Sequence, residues 1–552
     1  MQAGISPLAG TQPLPATWVD VHALTSAYYE LQPDSGIAAQ RVAFGTSGHR
    51  GCSFDLSFNQ WHVWAIVQAI CDYRSQASIS GPLYLGIDTH ALSHPAFESA
   101  LEVLAANAVN VYIAEQAEFT PTPVISHEIL CYNRGRTEAL SDGIVITPSH
   151  NPPDSGGLKY NTPNGGPADS ATTHWIQTRA NELLGQRLKG VKSLNFAEAL
   201  RADTTHTRNF LEFYVADLAN VVDMSAIAHS GLRIGVDPMG GAGLHYWQCI
   251  AERYGINLGV INSKLDPQFS FMPLDWDGKI RMDPSSKFAM QRLIAVRDQF
   301  DIAIACDTDH DRHGVVLPEL GLLSANRYLS AAVDYLAQHR PLWRADAGIG
   351  KTIVSTAMLD RIAAKQGRPL FEAPVGFKYF AEGLLDGSLV FACEESAGAS
   401  FSRFDGSAWC TDKDGISAGL LAAEITAVTG QNPAYRYSQL EAELGVIYGT
   451  RIDAAANDAQ KARLAKLASK HFTGLQLAGD EIISSLDRAP RSGAAIGGIK
   501  VTSKNGWFAA RPSGTEAIYK IYAESYQSDA HLQTILADAQ ALIAAALESA
   551  HD

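Results

Sequence analysis

The chain has 552 residues, enough for three or four domains at roughly 150 residues each, and its 46% hydrophobic and 18% charged composition is that of a globular protein, not of a disordered, collagen-like or coiled-coil one. Asp and Glu number 58 against 43 Lys and Arg, a net charge of −15, and so acidic a surface repels polyphosphate chains and anionic lipid, which argues against nucleic-acid and membrane-surface roles. No apolar run approaches the ~18 residues that span a bilayer, no basic stretch followed by an apolar one opens the chain, and the seven cysteines form no C-x-x-C pair, so a reducing, cytoplasmic setting is expected.

The first forty residues, with PLAGTQPLPA, read as an irregular arm. Ser57 and Gln60 stand where a capping box would, ahead of Val63, Ile66, Val67 and Ile70 at helical spacing. Beyond this helix, apolar strand-like runs alternate with helical patterns, the signature of an α/β protein with mostly parallel sheets. LYLGID (Leu83 to Asp88), LRIGVD (Leu232 to Asp237) and IAIACD (Ile302 to Asp307) form a weak internal repeat, although any buried parallel strand has this form. Their aspartates fall at strand carboxyl ends, where open α/β sheets bind ligands. Polar or turn-rich stretches at 201–209, 318–327 and 429–436 divide the chain into an arm with a first domain (1–207), then 208–322, 323–435 and 436–552.

Several loops carry residues with chemistry. FGTSGHRG supplies Thr46, Ser47 and Arg50 on a glycine-rich turn, either a phosphate loop or an ordinary bend. The strand Gly143 to Ile146 leads into TPSHNPPDSGGLKYN, which predicts Ser149 on an exposed, stiff loop; the G-x-S-x-G flanks of a hydrolase nucleophile are missing. DTDHDRHG places Asp307, Asp309 and Asp311 at alternate positions after a strand, and in an extended segment these share one face. Three hard oxygen donors suit Mg²⁺. An EF-hand would need Gly and Glu where Arg312 and Pro318 stand, and the lack of thiolate disfavours zinc. VGFKYF and TDKDG put Lys378 and Lys413 on turn-rich stretches, where solvated surface is the commoner reading. CEESAG closes another apolar strand and puts Glu394 and Ser396 two apart and so on one face, suited to sugar hydroxyls or to the first turn of a helix. RPSGTE combines Arg511 with Ser513, Gly514 and Thr515, as a phosphate grip or a turn.

On an acidic chain, Arg50, Lys159, Arg312, Lys378, Lys413 and Arg511 would form a local positive site for a small anionic substrate. A serine beside a carboxylate triad, two phosphate-type loops and a hydroxyl-binding pair together imply phosphoryl transfer on a sugar phosphate, a reaction that depends on positioning and charge neutralisation.

TPSHNPP, DTDHDR, EESAG and RPSGTE, in that order over nearly the whole chain, together with FGTSGHRG, resemble the α-D-phosphohexomutases, and most of all their glucose-specific bacterial members. The resemblance implies four domains around a central cleft, three related α/β domains with mixed sheets and a smaller α+β C-terminal domain. It implies that Ser149 is a phosphoserine acting through a glucose 1,6-bisphosphate that turns around between two transfers, with Mg²⁺ on Asp307, Asp309, Asp311 and an oxygen of phosphorylated Ser149. Arg511, Ser513, Gly514 and Thr515 would hold the non-reacting phosphate, and Glu394 with Ser396 the sugar hydroxyls. Thr46, Ser47, Arg312, Lys378 and Lys413 would also line the hexose-phosphate site, and Arg50 would lie by the reacting phosphate. Lys159, its pKa depressed by Arg50 and Mg²⁺, and His150 are the competing proton carriers. By the same likeness the C-terminal domain closes over substrate, with TGQNPAYR as its hinge. Gly398 stands where relatives that accept mannose phosphates often carry histidine, which favours glucose over a mannose or glucosamine mutase. A low-turnover sugar-phosphate binder and a phosphatase are the rivals of another class.

Overall fold

The computed structural model describes residues 5–45, 48–512 and 518–549. Three of its four sheets share one plan: parallel strands, the last followed by a hairpin that adds an antiparallel strand. In the first sheet Leu83–Ile87 lies parallel to Asp142–Ile146, which turns back into Ser155–Asn161. In the second, Ile234–Asp237 lies parallel to Ile302–Cys306, which turns back into His313–Leu317. In the third, Gly348–Thr352 lies parallel to Leu389–Glu394, which turns back into Gly398–Phe401. The repeat read from sequence is therefore real for LYLGID and LRIGVD, which hold equivalent places. IAIACD belongs to the next place, alongside LRIGVD in one sheet, as the counterpart of the strand before Ser149. The serine, aspartate and glutamate motifs are the three equivalent hairpin turns.

The fourth sheet is antiparallel, in the order Tyr448–Ala455, Ile518–Ser525, Gly506–Pro512, Ala495–Ser503, Asp480–Arg488 and Gln476–Leu477. Against it lies the helix Asp529–Ser549, burying Leu532, Ile535, Ala539 and Ile543. By length and composition alone this helix could cross a membrane, contrary to the expectation that no run comes close. Its apolar side is the core of the fourth domain.

Other expectations need correction. The arm is not irregular throughout: Asp20 accepts a hydrogen bond from Ala23 N at 2.9 Å and caps the helix Val21–Glu30, which buries Leu24 and Tyr28 on the first domain. Ahead of it, Ser6 N donates to Trp276 O (2.8 Å), Gly10 N to Leu274 O (2.7 Å) and Leu274 N to Thr11 O (2.8 Å), so the arm straps the first domain to the second. The helix Gln60–Gln76 is capped by Asn59 in a box with His62, while Ser57 Oγ accepts from Cys52 N at 2.9 Å instead. TGQNPAYR is a tight corner: Gly430 ends one helix in a left-handed turn and Asn432 caps the next, Pro433–Leu444, leaving Gly445–Ile447 as the link to the fourth sheet.

A buried ion pair inside the third domain also ties it to the second, through Asp223 and Val221. Arg340 and Glu424, each 1% exposed, bond through both nitrogens and both oxygens at 2.9 Å; Tyr335 Oη and Asp223 N donate to the same carboxylate, and Arg340 also reaches Val221 O. Arg340→Met is expected to destabilise the protein by about 3–5 kcal/mol, because a buried carboxylate loses its counter-charge. Thermal unfolding would show this as a clear drop in midpoint, and an unchanged midpoint would refute it.

Candidate active site

Ser149 is buried, not exposed as the sequence suggested, because the hairpin folds it inward against the second domain. Its backbone is left-handed (φ 58°), a costly conformation for a residue with a Cβ. Stiffness comes from a network behind it: Ser149 N donates to Thr147 Oγ1 (2.8 Å) and Thr147 Oγ1 to Asp88 Oδ2 (2.6 Å). Asp88 also holds His90 Nδ1 at 2.9 Å, and His90 Nε2 pairs with Asn151 O at 3.0 Å, so both ends of the loop rest on the aspartate of LYLGID. Ser149 Oγ in turn donates to Asp307 Oδ2 at 2.7 Å.

Asp307, Asp309 and Asp311 do converge, with carboxylate oxygens mutually within 4.8 Å. The cause is not strand alternation. Residues 307–312 form a turn, pinched by a left-handed His310 (φ 57°), which brings the three acids round one point. Burial and the two neighbouring carboxylates push the Asp307 carboxyl well above its ordinary range. Asp311 is held well below, since Lys159, Lys413 and Arg312 outweigh its burial. Oδ1 of Asp309 and Oδ1 of Asp311 are buried without hydrogen-bond partners among the described residues. Three clustered carboxylates with buried oxygens left unbonded offer the hard donors that a Mg²⁺ site requires. Burial keeps the imidazole of His310 neutral, down to about 4, and its Nε2 accepts from Trp247 Nε1 at 3.2 Å.

Lys159 departs from expectation. Its Nζ donates to Asp309 Oδ2 (2.5 Å) and Asp311 Oδ2 (2.8 Å), and these charges override burial and Arg50 and raise its pKa instead of depressing it. His150 is the reverse: burial and Arg312 drive it well below its ordinary value, and its Nδ1 lies 3.4 Å from Ser149 Oγ. Arg50 donates to Asn151 Oδ1 at 3.1 Å within electrostatic reach of the triad, and Arg312 N donates to Asp307 Oδ1 at 3.0 Å.

Lys413 is buried, 3.2 Å from Asp311 and 3.7 Å from Glu394. Its stem explains Gly398: a Cβ there would lie 2.1 Å from Lys413 Cδ, so no histidine fits unless the lysine moves. Glu394 ends its strand and accepts from Gly376 N at 2.9 Å, while Ser396 lies half-buried in the following turn, so the two do not share a strand face. Lys378 is half-buried on the turn Phe377–Tyr379 and does not reach the triad; burial lowers its pKa, partly offset by Asp169. Arg511 lies on the fourth sheet, with Nε buried and without a hydrogen-bond partner among the described residues. Thr46, Ser47, Ser513, Gly514 and Thr515 lie outside the described residues. A cleft lined by Gly48, Lys159, Asp311, Phe377, Asp412 and Lys413 runs between the first three domains.

Sequence reasoning missed four contributors. Asp283, held below its ordinary value by Arg312 and by hydrogen bonds from Ser285 against its burial, lies 3.7 Å from Arg312. Asp412 accepts from Asn161 Nδ2 at 3.0 Å beside Lys159. Arg451, on the fourth sheet, lies within electrostatic reach of Asp283 and Glu395. Thr122 donates to Asp309. Only Asp412 lay inside a motif already singled out; the others come from segments with no local signal.

Family models described as "Phosphoglucomutase/phosphomannomutase, alpha/beta/alpha" domains I, II and III match residues 41–186, 212–321 and 324–443, and the corresponding "C-terminal domain" matches 450–542. The chain is 56% identical over 541 residues to a phosphoglucomutase of Komagataeibacter xylinus, covering 98% of each. It is 26% identical to phosphoglucomutase 1 of Drosophila melanogaster, over 84% of this chain and 87% of that one. Among solved structures, the open form of Paramecium parafusin superposes with a TM-score of 0.72 at 20% identity, over 94% of this chain and 96% of that one, and shows the shared fold.

Proposed function

Because the chain belongs to the α-D-phosphohexomutase family and is a phosphoglucomutase, an isomerase acting on glucose 1-phosphate and glucose 6-phosphate, we propose that Ser149 gives and recovers the phosphoryl group through a glucose 1,6-bisphosphate intermediate. The observation that carries this is the buried contact of Ser149 Oγ with Asp307 Oδ2, on a left-handed turn braced by Asp88. A nucleophile so held needs little reorganisation to meet its partner.

Asp307, Asp309 and Asp311 would hold Mg²⁺, whose charge supports the transferring group when bound. Around that centre Arg50, Arg312 and Lys413 supply positive charge for the reacting phosphate, and Glu394 with Ser396 receives sugar hydroxyls. Lys159, kept charged by two carboxylates, stands on the donor side of proton transfer, and His150, kept neutral, on the acceptor side. Lys378, Thr46 and Ser47 would complete the hexose-phosphate site. Arg511 and the loop Ser513 to Thr515 would grip the phosphate that is not reacting, whichever end of the sugar carries it. The seven free thiols support a reducing, cytoplasmic location.

Arg511→Ala is expected to raise KM for glucose 1-phosphate about tenfold to a hundredfold, the loss of a charged hydrogen bond, while kcat changes far less. An unchanged KM would remove Arg511 from the phosphate grip. The reading as a whole is tested by Mg²⁺-dependent conversion of glucose 1-phosphate with a trace of glucose 1,6-bisphosphate, beside mannose and glucosamine phosphates. Glucose should be preferred, and equal rates on all three would contradict the role given to Gly398 and Lys413.

A further inference from the structure

Three successive carbonyls of the aspartate turn are each held by a different domain. Thr308 O accepts from Ala242 N (2.7 Å) in the second domain, Asp309 O from Thr122 N (2.9 Å) in the first, and His310 O from Gly415 N (2.9 Å) in the third. The joint has no slack. A Cβ on Gly241 would lie 2.7 Å from Thr308 Cα, one on Gly243 2.2 Å from His310 Nε2, and one on Gly415 2.2 Å from Arg312 O.

Of these three donors only Thr122 also reaches a carboxylate. Its Oγ1 donates to Asp309 Oδ2 at 2.6 Å, the same oxygen that Lys159 Nζ approaches at 2.5 Å. One oxygen of Asp309 is thus occupied by two donors, and the other, Oδ1, is left buried and unbonded among the described residues. Thr122 is fully buried and opens the helix Thr122–Asn133, where its hydroxyl caps nothing; it crosses the domain boundary instead. A carboxylate anchored through one oxygen presents the other in a fixed direction, and such outer partners tune the affinity of a metal site.

We propose that Thr122 is a positioning residue for the cation site, fixing Asp309 so that Oδ1 faces the ion and making metal affinity depend on the docking of the first domain against the second. This rests on the assignment of Asp307, Asp309 and Asp311 to a divalent cation. Thr122→Val keeps the shape and removes the donor; Thr122→Ser keeps the donor and removes the methyl.

The test is Mn²⁺ binding to the full dephosphorylated chain, followed by electron paramagnetic resonance, with thermal unfolding in EDTA and in Mn²⁺. Thr122→Val should bind Mn²⁺ roughly tenfold or more weakly, Thr122→Ser close to wild type, and the melting difference between Thr122→Val and wild type should widen when metal is added. Wild-type affinity in Thr122→Val, an equal loss in Thr122→Ser, or a melting difference of the same size in EDTA and in Mn²⁺ would each overturn the role of the hydroxyl. Failure of the wild type itself to bind Mn²⁺ would instead overturn the cation assignment, and the role of Thr122 with it.

Discussion

Ser149→Ala is expected to lower turnover by about 10⁴-fold or more, the scale on which removing a nucleophile acts, with the fold intact. The fold survives because the side chain makes few supporting contacts: what braces the turn is the backbone N–H of Ser149 on Thr147 Oγ1, which alanine keeps. Ser149→Gly separates chemistry from strain. Glycine accepts the left-handed backbone at φ 58° without the penalty of roughly 1–2 kcal/mol that a Cβ brings. It should therefore be as inactive as the alanine variant and at least as resistant to heat. Label from glucose 1,6-bisphosphate should reach wild-type protein at Ser149 and neither variant. Wild-type turnover in Ser149→Ala would end the phosphoserine assignment.

Asp309→Asn is expected to weaken Mg²⁺ activation by tenfold or more and to slow the reaction at saturating metal by about 10²-fold. The amide has no good orientation. If its nitrogen replaces Oδ2 it meets Thr122 Oγ1 and Lys159 Nζ, both already donating there. If it replaces Oδ1 it turns N–H groups toward the point where the carboxylates converge. Either choice also removes one of the charges holding Lys159. An unchanged Mg²⁺ titration would sink the assignment of this loop as the metal site.

The serine, aspartate and glutamate loops were legible because each is a short turn closing a buried strand, and both the apolar run and the polar turn are local. The arrangement inside them was not. Alternation along an extended segment predicted convergence of Asp307, Asp309 and Asp311; the acids converge, yet through a turn made possible by a left-handed His310, which no spacing rule reveals. The same reasoning placed Glu394 and Ser396 on one face, and there the turn separates them. Lys159 was expected to lose charge from its cationic neighbours, since a linear reading could not weigh Arg50 against two carboxylates 150 and 152 residues away. Thr122, Asp283 and Arg451 act through partners in other domains, so their surroundings in sequence are those of ordinary helix, loop and strand residues. The arm's helix was hidden by the prolines and glycines ahead of it, although Asp20 and the spacing of Leu24, Ala27 and Tyr28 mark it once sought.

The strap formed by residues 6–11 has a temporal side. Its partners, Leu274 and Trp276, leave the ribosome about 265 residues later, which at ~5–20 residues per second is a delay of some tens of seconds. During that interval Ile5, Leu8 and Leu14, exposed even in the finished protein, have no second domain to lie beside. The entropy of closing so long a loop grows only slowly with its length, so docking waits on translation and not on search. The arm is made well before the segment it docks on, and a nascent chain halted before residue 276 should still offer it to a protease.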